Sequence, residues 1–224
     1  GSLCADDITP QVVEKQIEDA EAEFREAKKM FNPWYTGPLL APPASVLPPG
    51  QFNVQPYLFM TNNYGQFDKH AHSHHIPHLH QLNPQVVFQF GMFKRVYGGV
   101  IAQGLRNKQS GHSSMNWGDT SALLGIGLLK ETAYMPALLI SIKESFPSGR
   151  YQRLHRSVDG MGAGAYQTTL GFNVSKVVWW LTLHPMAFRF AQSWSLPAMV
   201  HVSGLNSYGG GPGTHGKVRR GHAY

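Results

Sequence analysis

Large apolar and small polar side chains alternate with a period of two through much of this chain. In residues 165–176, Tyr166, Leu170 and Phe172 share one face, and Gln167 and Asn173 lie on the other. Because successive side chains of a strand point to opposite faces, this spacing predicts β-strands. Residues 51–60, 137–146 and 186–196 alternate in the same way. Weaker candidate strands are 84–91, 94–103, 120–129 and 177–183.

The length and polarity of these strands favour a membrane barrel. The runs have about ten to twelve residues, whereas a globular strand averages about five or six and a bilayer-crossing strand needs about 9 to 11. Their polar faces carry mostly Ser, Thr, Asn, Gln and Gly, and charged residues make up only 14% of the chain. A wet barrel lumen selects such a face, and lipid selects the apolar one. The alternative is a soluble exported β-sandwich, which also alternates and would bind a metal or a small ligand through its histidine-rich loop.

Composition excludes several other classes. A hydrophobic fraction of 42% is too high for a disordered chain, and no apolar run reaches the ~18 residues of a transmembrane helix. The formal charge of +6 comes from scattered basic residues, so no nucleic-acid partner is expected. One cysteine excludes an internal disulfide. The serine and glycine motifs lack the arrangement of a nucleophile elbow or a phosphate loop, so no enzyme activity is expected.

The N-terminal part follows a different pattern. Thr9 is a suitable helix cap, Pro10 suits the first helical position, and Asn32-Pro33 ends the pattern. An apolar stripe in between predicts a helix over 10–31: Val13, Ile17, Ala20, Phe24, Ala27 and Phe31. This helix packs either on its own domain or on a partner. The predicted organisation is an N-terminal segment 1–35, a proline-rich linker 36–50 and a β-barrel region 51–224.

The chain does not begin with Met. Residues 1–5, Gly-Ser-Leu-Cys-Ala, are either the tail of a cleaved signal peptide or a remnant of an expression vector. An exported protein is the expectation, because it agrees with the barrel composition.

Two sets of side chains are candidate sites. Six of the twelve histidines lie within 70–80, which predicts a surface loop. It is either a metal-binding or pH-responsive loop, or a polar loop with only weak, adventitious affinity for zinc or nickel; no other cofactor is expected. The candidate ligands are His70, His72, His74, His78 and His80. On the polar faces of the strands, four residues are predicted to line a channel: Lys143, Arg189, Gln167 and Asn173. The two cations would make such a channel favour anions.

Several motifs carry a resemblance to a known family. NPWYTGPLL at 32–40, FPSGRYQ at 146–152 and the glycine-containing run at 197–213 resemble, in this order, outer-membrane β-barrel proteins grouped with transporters of phenol meta-cleavage pathways. Members occur in intracellular Gram-negative bacteria. The resemblance implies an outer-membrane location, membrane lipid as partner, and passage of small solutes, aromatic ones among them. It assigns no catalytic site to any residue.

The resemblance covers about residues 9–217 and weakens towards the C-terminus. Residues 177–180 and His184-Pro185 fit it poorly, and after Gly216 family members continue with further strands. A truncated or divergent member is therefore expected. The fold predicted from all these observations is an all-β, antiparallel transmembrane barrel, complete or incomplete, with an N-terminal α-helix.

Overall fold

The computed structural model describes residues 10–29, 44–68, 70–178 and 186–223, without the side chains of Lys28 and Gln66. Of these residues 57% lie in strands, which are mostly antiparallel, and one α-helix precedes them. The predicted class of an antiparallel β-protein with an N-terminal helix is therefore confirmed. The elements are α1 Pro10–Lys29, β1 Phe52–Phe67, β2 Ser73–Phe93, β3 Val96–Gln109, β4 His112–Trp117, β5 Thr120–Leu129, β6 Ala137–Phe146, β7 Gln167–Val178, β8 Met186–Pro197, β9 Val200–Ser203 and β10 His215–Val218.

Eight of the described strands form one sheet in the order β1-β2-β3-β5-β6-β7-β8, with β4 also paired to β3. Within the described ranges this is an open path whose two ends are β1 and β8. β9 and β10 form a separate antiparallel pair. β4 and β5 pair with successive halves of β3, since Trp117 lies opposite Gly104 and Ser121 opposite Ile101. They are therefore one line of strand, interrupted at residues 118–119.

The β1–β2 hairpin changes the interpretation of the histidine run. Residues 73–80 belong to β2 and pair with β1, so the prediction of a loop over 70–80 is wrong for most of that range. A proline at 77 argues against a strand, but the register shifts between Asn63 and Gly65 on the opposite strand, and such irregularities admit proline. Only the residues at the tip, up to His72, remain outside the strands.

The faces of the strands alternate as the sequence predicts. Ile140 is 40% exposed, Leu170 44% and Phe190 55%, whereas the intervening residues of the same strands are mostly less accessible. Ile142 and Phe188 are exposed too, and Leu138 and Phe172 are half-buried. Aromatic side chains near the strand ends lie on both faces of their strands. Tyr57 shares the face of Asn53 and Gln55 and donates a hydrogen bond to Gln55, whereas Trp194 is exposed with the large apolar residues.

The chain divides into two compact units. The first comprises Gly1–Ser45, Gly127–Ile140 and Phe172–Ala191. Its buried apolar residues include Phe24 of α1, Leu139 of β6 and Val177 of β7. Helix α1 is attached to the segment before β6, because Glu21 Oε1 accepts a hydrogen bond from the Ala133 N–H at 3.0 Å. Helix formation is confirmed over 10–29; residues 30–31 of the prediction lie outside the described residues.

The second unit comprises Val46–Ile126, Ser141–Gly171 and Gln192–Tyr224. Its apolar cluster joins Ala165 to Val200 and Val202 of β9, with Tyr151, Tyr208 and Val218 packed against it. The segment 147–166 runs over the polar side chains of β3, where the Asn107 amide donates to the carbonyls of Val158 and Gly160, at 3.1 Å each. A short 3-10 turn, Ser157–Asp159, lies in this segment.

Within the described residues, no helix is long and apolar enough to cross a bilayer. Of the predicted linker, residues 44–50 are described, and Ala44 and Leu47 are buried there. Residues 1–9 and 36–43, together with 179–183 of a weaker strand candidate, lie outside the described ranges.

Candidate functional site

The interruption between β4 and β5 places a carboxylate on the polar face of the second unit. The Gly118 N–H still donates to the Gln103 carbonyl at 2.9 Å, and the Gln103 amide donates to the Asp119 carbonyl at 3.0 Å. These two bonds hold the break against β3. Asp119 does not pair with another strand, and its side chain contacts segment 147–166.

Asp119 fixes two distant points of that segment. Its Oδ1 accepts from the Gly149 N–H at 2.9 Å, and its Oδ2 accepts from the Ala163 N–H at 2.7 Å. The same two stretches approach each other so closely that a Cβ on Gly149 would lie 2.7 Å from the Gly162 Cα. Glycine is therefore required at this crossing. The Asp119 carboxylate therefore joins the two ends of segment 147–166, and we call these two hydrogen bonds the Asp119 bracket.

The second unit contains a polar cavity of about 230 Å³ beside this bracket. Its charged lining residues are Lys143 of β6, Asp119 and Arg220. Polar groups come from the neighbouring strands, and the apolar part is limited to Ile101, Ala163 and Ala165. The uncharged polar lining residues are Gln85, Gln103, Ser121, Ser145 and Gln167.

Hydrogen bonds hold most of the lining in place. Ser121 and Ser145 are joined through their hydroxyls at 2.8 Å. Arg220 Nη1 donates to Gln167 Oε1 at 3.0 Å, which places the guanidinium at the cavity wall. Lys143 differs from these groups, because within the described residues no hydrogen bond or ion pair joins its ammonium to another side chain or carbonyl. Glu144, its neighbour along the chain, instead accepts a bond from the Thr168 hydroxyl at 2.6 Å.

Tyr208, from the C-terminal part of the chain, contacts the same loop that Asp119 holds. Its hydroxyl donates to the Ala163 carbonyl, next to the N–H that Asp119 holds. Burial raises the pKa of the Tyr208 hydroxyl; the charge of Arg220 opposes this shift, and the Asp119 carboxylate adds to it. The phenol therefore remains a neutral donor at ordinary pH.

A second carboxylate, Asp159, fastens the short helical turn of the same segment. Burial alone would raise the pKa of Asp159. Hydrogen bonds from the Ser114 side chain and the Arg156 N–H, together with the positive charge of Arg156, outweigh this effect and lower the pKa below its usual value. Asp159 therefore stays ionised and pairs with Arg156 at 3.6 Å.

The predicted channel-lining residues have different surroundings. Lys143 and Gln167 line the same cavity. Asn173 is buried and Arg189 half-buried in the first unit, and neither is among the residues that line it. Sequence reasoning missed Asp119 and Arg220. The signal for Asp119 was the Gly118-Asp119 pair directly before the apolar run at 120–129, whereas nothing in the local sequence distinguishes Arg220 from Arg219.

The histidines do not form a ready metal centre. The rings of His70 and His72 are tilted by 39° to each other at the hairpin tip with centroids 6.2 Å apart, and the rings of His78 and His80 lie 6.3 Å apart on β2. His80 Nδ1 lies 2.6 Å from the Asn62 side-chain oxygen. Among the described side chains, no three or more of His, Cys, Asp and Glu are grouped to hold a metal ion. Weak binding of zinc or nickel at His70, His72, His74, His78 and His80 stays a prediction and requires these side chains to rearrange.

Asp68 organises the hairpin tip. Its Oδ1 accepts from the N–H groups of His70 and His72 at 2.8 and 2.9 Å, and its Oδ2 lies 3.1 Å from His74 Nε2. The backbone N–H of His72, followed by the His74 side chain, lowers the pKa of the Asp68 carboxyl. The tip is thus held by one ionised carboxylate.

Neither the scan against protein-family models nor the search of curated proteins gave a match to this chain.

Proposed function

We propose that this chain is an outer-membrane β-barrel protein of a Gram-negative bacterium that admits small solutes to a polar lumen. The single observation that carries the proposal is the exposure of large apolar side chains along one face of successive strands. Val54 is 57% exposed, Leu58 57% and Phe188 50%. Such a face is costly in water and is what lipid requires.

The opposite face supports a wet interior. Gln55 on β1, Gln89 on β2 and Lys143 on β6 are only partly exposed and alternate with the apolar residues. In the second unit, segment 147–166 covers part of this polar face and leaves the cavity described above. A lumen narrowed in this way would select small solutes.

The exposed apolar face is less compatible with the alternative of a soluble sandwich. A sandwich buries one face of each sheet against the other sheet. Here the large residues of β6, β7 and β8 are accessible, and the partly buried face is the one that carries Ser, Thr, Asn and Gln. A soluble β-protein buries the apolar face of its strands and exposes the polar face, so the arrangement in this chain is the reverse.

Lipid exposure can be tested one face at a time. Val54→Cys and Gln55→Cys, each in a Cys4→Ser background, would receive a nitroxide label and be reconstituted into liposomes. We expect the label at 54 to be more accessible to oxygen, which concentrates in lipid, and the label at 55 to a water-soluble nickel chelate. Adjacent positions on one strand are matched for depth.

The same preparation provides the global measurement. We expect the protein to float with the liposomes and to migrate as a heat-modifiable β-species in detergent. Retention in the aqueous fraction, or equal nickel accessibility at both labelled positions, would overturn the proposal. Both Cys variants must show the heat-dependent shift of the parent protein before their labels are compared.

A further inference from the structure

The cavity of the second unit has a charge that its own residues do not balance. Three ionisable groups line it: Lys143, Arg220 and Asp119. Both Asp119 oxygens accept backbone N–H bonds from Gly149 and Ala163, so that carboxylate is committed to the loop. One negative and two positive charges leave a net charge of +1 at the wall.

Lys143 is the group that needs a counter-charge. Its side chain is half-buried, and within the described residues its ammonium has no hydrogen-bond or ion-pair partner. A partly buried charge without a partner is unfavourable. Arg220 donates one bond to Gln167, and its other N–H groups remain able to bind an anion bidentately.

The uncharged lining indicates what surrounds the anion. The Gln85 amide has no hydrogen-bond partner among the described residues and can both donate and accept. The paired hydroxyls of Ser121 and Ser145 can do the same. A ligand hydroxyl would be satisfied by these groups, whereas a bare hydrocarbon would leave them unpaired.

The volume limits the ligand. About 230 Å³ is below the roughly 300–1,000 Å³ of sites for drug-sized molecules. The net charge of +1 suits a monoanion better than a phosphate dianion. We propose that this cavity binds a small hydroxylated monocarboxylate, with the carboxylate on Lys143 and Arg220 and the hydroxyl on Gln85 and the serine pair. The inference names a solute class for the proposed function and rests on it for transport, but binding requires no membrane.

Calorimetry on the full chain in detergent tests binding directly, with L-lactate as the probe. Lactamide has the same hydroxyl without the charge, propionate has the charge without the hydroxyl, and inorganic phosphate is the competing anion. We expect lactate to bind, lactamide to bind about tenfold or more weakly, and propionate to bind several-fold more weakly.

Variants then locate the site. Lys143→Gln and Arg220→Gln should each weaken lactate binding about tenfold to a hundredfold. Lys108→Gln and Arg219→Gln are matched controls on exposed residues of the same unit, and they should leave the affinity unchanged. Lys143→Met provides a second variant of similar length if Lys143→Gln does not show the parent's heat-dependent shift.

Three results would overturn the inference: no lactate binding by the parent protein, lactate affinity unchanged in both Lys143 variants and in Arg220→Gln, or phosphate bound more tightly than lactate. Lactate binding by a protein that fails to float with liposomes would retain the site and reject the outer-membrane function. Flotation without lactate binding would reject the site and leave the barrel proposal standing.

Discussion

Two half-buried lysines, one in each unit, have opposite surroundings. The Lys176 ammonium of the first unit donates to the carbonyls of Thr132 and Ala133, at 2.5 and 2.8 Å, and lies 4.8 Å from the centre of the Phe24 ring. The Lys143 ammonium of the second unit lines a cavity and has no such partner within the described residues. The Lys176 ammonium is therefore part of the packing of the first unit, whereas the Lys143 ammonium borders an open cavity.

The difference extends to the residues around each lysine. In the first unit Leu139 is fully buried, and the Glu131 carboxylate accepts from the Val177 N–H at 2.5 Å, so the side chains in the unit of Lys176 include both a packed apolar group and a bonded carboxylate. In the second unit the carboxylate of Asp119 binds the loop and leaves Lys143 and Arg220 for a ligand. A folded chain keeps an unbalanced cation at a cost in stability, which is typical of functional sites.

The largest expected effect is on the packing of the first unit. Leu139→Ala removes a fully buried side chain and should lower the free energy of unfolding by about 2–5 kcal/mol. Urea unfolding in detergent measures it. Ile140→Ala is the matched control, since that neighbour is 40% exposed and should cost clearly less. Equal losses would mean that the first unit has no well-packed core at Leu139.

The two lysines themselves give the next effect. Lys176→Gln removes charged hydrogen bonds to two carbonyls and should destabilise the protein by about 1.5–3 kcal/mol. Lys143→Gln should leave the stability within about 0.5 kcal/mol or raise it, because no bond is lost. The same unfolding measurement compares them. A larger loss from Lys143→Gln would contradict the distinction between a structural and a free cation.

The Asp119 bracket should have a comparable or slightly smaller effect. Asp119→Ala leaves the N–H groups of Gly149 and Ala163 without their acceptor, at a cost of about 1–3 kcal/mol. Hydrogen exchange should show faster exchange at both amides, while amides of the first unit keep their rates. Asp119→Asn retains one acceptor oxygen and should protect only one of the two amides. Unchanged exchange in Asp119→Ala would show that the loop is held by other contacts.

Much of the second unit's polar face could be predicted from sequence, because strand faces depend on neighbouring residues. The alternation in 137–146 and 165–176 placed Lys143 and Gln167 on the polar face, and both line the cavity. The strand at 120–129 was predicted with its observed bounds. The same alternation puts Leu139 on the polar face, where the sequence gives no reason for a fully buried leucine.

What the sequence did not reveal depends on residues far apart in the chain. Asp119 reaches Gly149 and Ala163, which are 30 and 44 residues away, and Arg220 reaches Gln167 across 53 residues. Period-two spacing contains no information on such loop contacts. The histidine run was mistaken for a loop because its strand is stabilised by pairing with β1, not by an apolar face.

The smallest expected effect concerns Asp68. Both of its carboxylate oxygens have hydrogen-bond partners, as those of Asp119 do, but Asp68 lies at the surface. Asp68 accepts the N–H groups of His70 and His72, and these bonds with that of His74 lower its pKa below the usual 3.8. A lowered pKa in the folded state means that the stabilisation is present above the ordinary value and is lost as the pH falls through the lowered one. The hairpin tip should therefore open only in strong acid.

Acid titration followed by backbone NMR of the tip can separate this carboxylate from general acid unfolding. The amide signals of His70 and His72 should shift in one step below pH 3.8, before signals of the second unit's core change. Asp68→Asn keeps an acceptor oxygen but cannot titrate, so that step should vanish. Asp19→Asn, a change on the exposed surface of α1, should retain it. If the step survives in Asp68→Asn, the tip is held by its histidines rather than by the carboxylate, and the analogy between Asp68 and Asp119 fails.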